Sequence, residues 1–369
     1  MNDIDHWTND IHTGDAGETL AELPESSVHM VMTSPPYWNL RDYGADGQLG
    51  REETAEAFVQ NLADVFDEVK RVLRPDGSLW LNLGDTYNDK DLQQIPARVA
   101  LELQNRGWIL RNRVTWAKPN PMPQSVKDRL NDTTEAVFHF VKNKEYWYDL
   151  DAVREAHKNY EDYAKAGKGG TLDSKKGHAE TTNHDLNNPR QQQAKRNFHE
   201  NGKNPGDVFE VTTKPFPDAH FAVYPPELCE KPIKATCPPK VCADCGSPYE
   251  RDKTEPEREY ERGNENWRDG ANIGNPQRDH DGDWGYKAEF HGWQQTCDCG
   301  TDATEAGIAL DPFAGAGTTA LVAKEHGRRF VGIDLNEEYV SMAQKRLGLT
   351  VDNPEYVRDD AEAGLEDFA

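Results

Sequence analysis

Short apolar runs alternate along the chain with amphipathic stretches. The segment 58–73 carries apolar residues at steps of three and four and stops at Arg74-Pro-Asp-Gly77, a pattern that predicts a helix ended by a turn. Apolar or β-rich runs bounded by polar and turn residues predict strands. These runs are 11–15, 28–33, 79–83, 108–116, 135–141, 308–311 and 329–334. Because strands and helical segments alternate, we expect a mostly parallel α/β sheet.

Two stretches interrupt this alternation. From about 157 to 204 the sequence becomes rich in Lys, Gly, Asn, Gln and His, and from 238 to 296 the hydrophobic pattern is again lost. The first composition is typical of a mobile or ligand-ordered insertion. A helical segment at about 220–235 lies between the two interruptions.

A glycine-rich segment, Asp311-Pro-Phe-Ala-Gly-Ala-Gly317, lies between a predicted strand and a helix that begins near Thr318. Its small residues let the backbone pass close to a ligand at the carboxyl edge of the sheet. Glycines alone also occur in tight turns without a ligand, but Asp334 ends the next strand, where an acid accepts hydrogen bonds from ribose hydroxyls. The pattern therefore predicts a site for a nucleoside-type cofactor, and it lacks the Gly-Lys-Ser/Thr of an ATP-binding phosphate loop.

A second motif, Thr33-Ser-Pro-Pro-Tyr-Trp38, also follows a predicted strand. Its two prolines form a stiff turn that can aim a backbone carbonyl at a fixed point. The exocyclic amine of a base is a poor nucleophile, because its lone pair is delocalised into the ring. Acceptors such as Ser34 and the Pro35 carbonyl would raise its electron density, and Tyr37 would stack the flipped base. A proline turn that only caps a strand is the alternative.

Together the two motifs resemble the amino-methyltransferase family of DNA modification enzymes, in the permuted (beta) group whose Ser-Pro-Pro-Tyr block precedes the cofactor block. The resemblance implies a Rossmann-like, S-adenosylmethionine-dependent methyltransferase fold with a mostly parallel sheet. It implies that a base is flipped out of double-stranded DNA and methylated by direct in-line transfer, without a cysteine nucleophile.

The resemblance also implies site residues. The expected catalytic residues are Ser34, Pro35, Pro36 and Tyr37. The residues expected to bind the cofactor are Asp15, His220, Phe221, Asp311, Phe313, Gly315, Gly317, Thr318 and Asp334. Of these, Asp15 would reach the adenosine, and the segment 220–225 would begin a helix that packs against the methionine part. The blocks 74–77 and 116–129, together with Glu135, resemble further core elements of the family.

The serine of the catalytic motif bears on the target base. Ser-Pro-Pro-Tyr is commoner in N4-cytosine enzymes of the family and Asp-Pro-Pro-Tyr in N6-adenine enzymes. We therefore expect a site-specific cytosine-N4 methyltransferase, with adenine-N6 as the alternative. Methylation of an RNA base or a protein glutamine amide, and an inactive zinc-ribbon nucleic-acid-binding protein, are alternatives of other classes. The recognised sequence, a cognate restriction endonuclease as partner and the oligomeric state stay open.

These blocks divide the chain into five expected segments. The catalytic half of the core spans 1–141, and the cofactor-binding half spans 305–369. Between them lie a target-recognition insertion (142–207), a helix that packs on the cofactor site (208–236) and a cysteine-containing insertion (237–304). Basic side chains of the recognition insertion would contact bases and phosphates, or lie in a solvated loop. They are Arg154, Lys158, Lys168, Lys175, Lys176, Arg190, Lys195 and Arg196.

Six cysteines at uneven spacing predict thiols or metal ligands and not a disulfide framework. The pairs Cys242/Cys245 and Cys297/Cys299 flank a polar stretch and could complete a tetrahedral structural zinc site. Free or merely paired thiols are the alternative, since Cys-x-Cys is a less usual half of such a site. Cys229 and Cys237 are expected to be ordinary packing residues.

Acidic residues outnumber basic ones, at 66 against 42, which leaves a formal net charge of −24. Such a charge would repel DNA, but at about 1 M salt the Debye length falls to about 3 Å and the repulsion is screened. The composition therefore indicates a halophilic protein, with an ordinary acidic mesophilic enzyme as the alternative. No run of eighteen apolar residues and no signal-peptide pattern occurs in the sequence, so we expect a cytoplasmic protein without membrane spans.

Overall fold

The computed structural model describes residues 3–40, 47–156, 202–214, 223–252 and 292–349. The strands are β1 (Asp10–Thr13), β2 (Val28–Thr33), β3 (Leu73–Leu83), β4 (Tyr87–Asn88), β5 (Asp91–Leu92), β6 (Ile109–Ala117), β7 (Thr134–Val141), β8 (Val208–Glu210), β9 (Val241–Cys242), β10 (Glu250–Arg251), β11 (Trp293–Gln294), β12 (Thr304–Glu305), β13 (Ile308–Asp311) and β14 (Arg329–Asp334). The helices are α1 (Ala16–Glu22), α2 (Ala55–Val72), α3 (Ile95–Asn105), α4 (Pro226–Thr236), α5 (Thr318–Glu325) and α6 (Glu337–Leu347). Short 3-10 turns occupy Asp3–His6 and Asp151–Val153.

Within the described residues, eight strands form one sheet in the order β1-β14-β13-β2-β3-β7-β6-β8. The first five strands of this order run parallel, β3, β7 and β6 pair antiparallel, and β8 pairs parallel with β6. The expectation of a mostly parallel α/β sheet is confirmed.

Helices cover both faces of this sheet, which explains why its central strands are continuously apolar. All six residues of β2 are buried, and neighbours in its sequence face opposite sides. Val31 belongs to the core under α1, α2 and α3, whereas Met30 and Met32 belong to the core under α4, α5 and α6. Thr54 begins α2 by accepting a hydrogen bond from the Ala57 amide at 3.1 Å, as expected for an N-cap.

The prediction of a separate turn at 74–77 is wrong, because these residues belong to a strand. Strand β3 begins at Leu73, directly after α2, and Leu73 lies opposite Val28 of β2. Pairing resumes with Ser78 opposite Met30, so the four intervening residues form a bulge and not a separate turn. Pro75 within this segment has no amide hydrogen to offer the ladder, which is why the extra residues bulge here.

The helix expected from about 220 begins later, at Pro226, with Pro225 as its N-cap. A proline favours the first helical position, and the residue before a proline is held extended. Two consecutive prolines therefore define the start of this helix. His220 and Phe221, expected at the cofactor, lie outside the described residues.

The chain divides into two compact units. One comprises Met1–Ala152, Gly206–Tyr249 and Gln295–Ala369, and the other comprises Val153–Pro205 and Glu250–Gln294. In the second unit, β10 pairs antiparallel with β11, and Glu155 pairs with Lys203 through the backbone and through an ion pair of 2.9 Å. The five-segment division of the sequence stays a prediction.

Arg154 is the one predicted basic DNA contact among the described residues, and its guanidinium donates to the Gly202 carbonyl at 3.1 Å. The other seven lie outside the described residues. No described helix is both long and apolar enough to cross a bilayer.

Candidate active site

The chemistry-bearing motifs of the sequence lie at one edge of the sheet. Strands β2, β13 and β14 run parallel and end at Thr33, Asp311 and Asp334. The loops that follow parallel strands meet at their carboxyl edge. The Ser34 motif and the glycine loop are therefore neighbours, although Thr33 and Asp311 lie 278 residues apart in the sequence.

The Asp311 side chain joins these two motifs. It is 1% exposed, and its Oδ1 accepts hydrogen bonds from the Thr33 hydroxyl at 2.6 Å and the Phe313 amide at 3.1 Å. Its Oδ2 accepts from the Tyr224 hydroxyl at 2.8 Å and the Thr319 hydroxyl at 2.9 Å. Burial raises the pKa of Asp311, and these donors act in the opposite direction. Both oxygens of Asp311, which is expected at the cofactor, accept from protein donors, so its carboxylate organises the loop, and its contact with the cofactor stays a prediction.

The glycine loop is held open by Asp334. Its Oδ2 accepts from the Gly315 amide at 2.8 Å, and its Oδ1 accepts from the Asn336 amide at 2.9 Å. Gly315 and Gly317 have φ of +51° and +71°, a conformation that favours glycine, and a Cβ on Gly315 would meet no described atom within 4 Å. A carboxylate has about four lone-pair sites, so the half-buried Asp334 can accept further donors beside this open backbone.

Two other residues predicted to bind the cofactor, Thr318 and Phe313, also contact other parts of the protein. Thr318 is buried, and its hydroxyl accepts from Arg346 at 3.0 Å. The same guanidinium donates to the Ala316 carbonyl at 2.9 Å, so it fixes the loop from α6. Phe313 is half-buried and packs against the core under α1, α2 and α3.

Asp15 lies at the same sheet edge. Thr13, at the end of β1, is opposite Asp334, which brings the two acids to neighbouring positions along the edge. Asp15 is exposed and caps α1, with its Oδ1 accepting from the Glu18 amide at 3.0 Å. This bond occupies one oxygen and leaves the other for a ligand.

Ser34 and Tyr37 belong to a hydrogen-bonded cluster at the end of β2. The Tyr37 hydroxyl donates to Glu135 Oε2 at 2.7 Å and lies 3.2 Å from Ser34 Oγ. Asn82 Nδ2 lies 2.8 Å from Glu135 Oε2, 2.9 Å from the Tyr37 hydroxyl and 3.3 Å from Ser34 Oγ. Lys118 forms a short ion pair with Glu135 Oε1. The residues around the motif come from β3 (Asn82), from β7 (Glu135) and from the position that directly follows β6 (Lys118).

Asn82 and Lys118 were not predicted, and Glu135 was noticed only as part of a sequence block. Asn82 is 1% exposed in the apolar run of β3, and a polar residue at a fully buried strand position was the available signal. Its Oδ1 has no hydrogen-bond partner among the described residues. Pairing of β3 with β7 and of β7 with β6 unites the three side chains.

The four cysteines expected to bind metal do converge. The Sγ atoms of Cys242, Cys245, Cys297 and Cys299 all lie within 4.8 Å of one another. Strands β9 and β12, which pair antiparallel, bring the two cysteine pairs together. The other two described cysteines, Cys229 and Cys237, are fully buried in and after α4, which confirms that they are packing residues.

The cysteine cluster is attached to the central sheet. His29 of β2 contacts the Gly246 carbonyl through Nε2 at 3.0 Å, and its Nδ1 accepts from the Ile308 amide at 3.0 Å. Because Nδ1 is an acceptor, Nε2 carries the hydrogen. Burial, aided by the charge of Arg74, lowers the pKa of His29 to about 4. Arg74 donates to the Cys245 carbonyl at 3.1 Å.

A family model described as DNA methylase matches residues 28–245 and 302–345. These ranges include the Ser34 motif, the glycine loop and the first cysteine pair, Cys242 and Cys245. The chain belongs to this N6/N4 DNA methylase family. It is 33% identical to the type II methyltransferase M.XycI of Xanthomonas campestris pv. cyanopsidis, over 90% of this chain and 86% of the relative. It is 32% identical to the type II methyltransferase M.SfiI of Streptomyces fimbriatus, over 90% and 89% of the two chains.

A solved structure shares the fold of this methylase. The cytosine-N4-specific PvuII DNA methyltransferase aligns with a TM-score of 0.53 and 17% identity, over 95% of this chain and 87% of that chain. Both the family and the Rossmann-like methyltransferase fold implied by the sequence are confirmed. The methylase is an S-adenosylmethionine-dependent DNA methyltransferase of the N4/N6 family.

The packing of Tyr37 yields a test of the site geometry. A Cβ on Gly84, just after β3, would lie 2.8 Å from Tyr37 Cδ2 and 3.2 Å from Cζ. We therefore expect Gly84→Ala to displace the tyrosine ring and to lower the methylation rate, with cofactor affinity unchanged. Steady-state kinetics and calorimetric titration with S-adenosylmethionine measure the two quantities.

Gly206→Ala is the matched control, because a Cβ there would meet no described atom within 4 Å. Its methylation rate should equal that of the wild type. A wild-type rate in Gly84→Ala as well would contradict the close packing of Tyr37.

Proposed function

We propose that this methylase transfers the methyl group of S-adenosylmethionine to N4 of cytosine in double-stranded DNA. The hydrogen bond between Thr33 and Asp311 carries this proposal. Thr33 immediately precedes Ser34, and Asp311 begins the glycine loop. A nucleophile held by Ser34 would thus lie beside a cofactor held by that loop, as in-line transfer requires.

The glycine loop and the acids around it fit a nucleoside-type cofactor. The backbone at Gly315 is open to close approach, whereas Gly317 packs against Ala343 of α6 and makes the turn into α5. Asp334 and Asp15 keep acceptor capacity for ribose or adenine donors. Phe313 and Thr318 complete the described part of this site, and His220 and Phe221 are proposed for the part outside the described residues. S-adenosylmethionine would supply the electrophilic methyl group there.

The Ser-Pro-Pro-Tyr residues would prepare the nucleophile. Ser34 Oγ and the Pro35 carbonyl accept the amine hydrogens, Pro36 stiffens the turn, and the Tyr37 ring stacks on the flipped base. Serine in the first position supports N4 of cytosine as the acceptor. N6 of adenine is the alternative acceptor for the same machinery. Because its relatives bear the names of type II methyltransferases, we further propose that the enzyme protects a DNA site from a cognate restriction endonuclease.

Nucleoside analysis tests the function. The protein is incubated with S-adenosylmethionine and duplex DNA from low to about 1 M salt, where charge repulsion is screened, and the digested product is identified by mass spectrometry. We expect N4-methylcytosine, with the highest yield at high salt if the net charge of −24 is a halophilic adaptation. N6-methyladenine would overturn the base, and no methylated nucleoside at any salt would overturn the function.

Two substitutions separate the roles of the two motifs. Ser34→Ala should lower kcat by about 10²-fold, comparable to the loss of one transition-state hydrogen bond, and leave cofactor affinity unchanged. Asp334→Ala should instead weaken cofactor binding first, because it removes the acceptor beside the glycine loop. Calorimetry and single-turnover methylation measure both variants. Equal effects of the two substitutions on binding and on rate would contradict this division.

We also propose that the four clustered cysteines bind one structural zinc ion. Thiolate sulfurs about 2.3 Å from a tetrahedral zinc ion lie about 3.8 Å from one another, and the four Sγ atoms, all within 4.8 Å of one another, are near enough to close on one ion with small side-chain adjustments. Thiolates are preferred zinc ligands, and a closed set of four leaves no open position for catalysis. The ion would fasten β9 and β12 to the bulge of β3 and to His29.

Metal removal tests the zinc site. Purified protein should contain one zinc per chain, and removal by a chelator should lower Tm because metal-binding energy is folding energy. Cobalt substitution should give the thiolate charge-transfer absorption of a four-cysteine site, and Cys297→Ser should weaken that absorption. Cys229→Ala, at a buried position of α4, is the control that should retain the metal. Zinc-free protein with an unchanged Tm after chelation would contradict the site.

A further inference from the structure

We propose that Glu135 is the final acceptor of the proton that leaves the target amine, and that Ser34 and Tyr37 conduct it there. This inference rests on the proposed function and extends it. A methylated exocyclic amine carries one hydrogen too many until a base removes it. The proposed reaction therefore needs an acceptor, and the Ser-Pro-Pro-Tyr residues alone contain no basic group.

The hydrogen bonds around Tyr37 have one consistent direction. An ionised carboxylate only accepts, so the Tyr37 hydroxyl uses its single hydrogen on Glu135 Oε2, at 2.7 Å. The 3.2 Å contact with Ser34 must then be a donation from Ser34 Oγ to the tyrosine oxygen. Ser34 Oγ is left as an acceptor on its outer side, where the amine would bind. Each hydroxyl thus points its hydrogen toward Glu135.

Asn82 and Lys118 hold the Glu135 end of this series of hydrogen bonds in place. Asn82 Nδ2 lies within 3.3 Å of Ser34 Oγ, the Tyr37 hydroxyl and Glu135 Oε2. A flipped amide would set its carbonyl oxygen against the Glu135 carboxylate, so the observed orientation is the favourable one. Lys118 supplies the counter-charge from the other side of the carboxylate and packs over the Trp116 ring, with Nζ 4.6 Å from the centroid.

Described residues account for every step of this proton transfer. The amine nitrogen forms a bond to the methyl carbon as the carbon–sulfur bond breaks, and both electrons of that bond stay on sulfur. The nitrogen then releases a proton to Ser34 Oγ, the serine hydrogen passes to the Tyr37 oxygen, and the tyrosine hydrogen passes to Glu135. The two hydroxyls end unchanged, and Glu135 ends protonated. It returns the proton to solvent before the next turnover.

Glu135 could instead only position Tyr37, and pH dependence separates the two roles. In Glu135→Gln, the amide keeps the shape of the side chain but cannot take up the proton. Hydroxide or a buffer base must then accept it, so the single-turnover rate should rise with pH and with the concentration of a small base such as imidazole. The wild-type rate should not depend on imidazole. A purely positioning residue would give a loss that neither variable restores.

The expected loss in Glu135→Gln is about 10²-fold or more at neutral pH, within the range of general acid–base catalysis, with unchanged affinity for S-adenosylmethionine. Glu102→Gln, on α3, is the matched control and should have the wild-type rate. A wild-type rate in Glu135→Gln, or a loss that is independent of both pH and imidazole, would overturn the proposal.

Tyr37→Phe provides a second, independent variant, because it keeps the ring and removes only the hydroxyl that links Ser34 to Glu135. Its rate should respond to imidazole as the rate of Glu135→Gln does. The double variant Tyr37→Phe/Glu135→Gln should be no slower than the slower single variant, since both substitutions interrupt the same series of hydrogen bonds. Failure of the proposed function would appear separately, as a wild-type enzyme that forms no methylated nucleoside. Normal methylation by the wild type with additive losses would overturn only the relay.

Discussion

Four hydrogen bonds from described residues end on the buried Asp311 carboxylate, and the arrangement of the site depends on them. The donors are Thr33 at the end of β2, Tyr224 just before the N-cap of α4, Thr319 in the first turn of α5 and Phe313 in the glycine loop. Thr319 Oγ1 also lies 2.9 Å from the Met32 carbonyl oxygen, so its single hydrogen is shared between that carbonyl and Asp311 Oδ2, and α5 is linked to β2. Loss of a buried partner costs about 1–3 kcal/mol for each group left unsatisfied. The carboxylate thus holds together segments that lie 278 residues apart.

Two parts of this sheet edge have different tasks: one forms the glycine loop, and the other forms the cluster around Ser34. Residues of β13, β14 and their loops shape an open glycine backbone, whereas β2, β3, β6 and β7 assemble the hydrogen-bonded cluster around Ser34 and Glu135. The antiparallel pairing of β7 with β3 and β6 is essential to the second task. It places the amino end of β7 at the carboxyl ends of β3 and β6, so that Glu135 reaches Asn82 and Lys118.

Much of this organisation follows from local sequence patterns. The buried run 28–33 ends as a strand at the predicted residue, and the strand–glycine loop–helix–strand block at the C-terminal side has the predicted order. These elements are predictable because period, turn residues and burial agree within short windows. The short β8 and the helix α3 were missed. Strand β8 is three residues long and pairs with a distant strand, so its sequence carries little local signal.

The site was less predictable than the fold. The catalytic and glycine motifs were recognisable because their small and proline residues are consecutive. The roles of Asn82, Lys118 and Tyr224 depend on strand pairing and on contacts across the sheet edge, which no window of sequence contains. Asp311 illustrates the same limit, since the sequence identified its position but not that protein donors occupy both of its oxygens.

Asp311→Asn tests most directly whether this carboxylate joins the catalytic strand to the cofactor loop. Asparagine keeps the shape of the side chain but replaces an acceptor with a donor, so it cannot satisfy all four partners. Calorimetric titration with S-adenosylmethionine and single-turnover methylation should be measured on folded protein. Affinity and rate should both fall by about tenfold or more, the equivalent of about 1.4 kcal/mol each. Wild-type affinity together with a wild-type rate would contradict this role of Asp311.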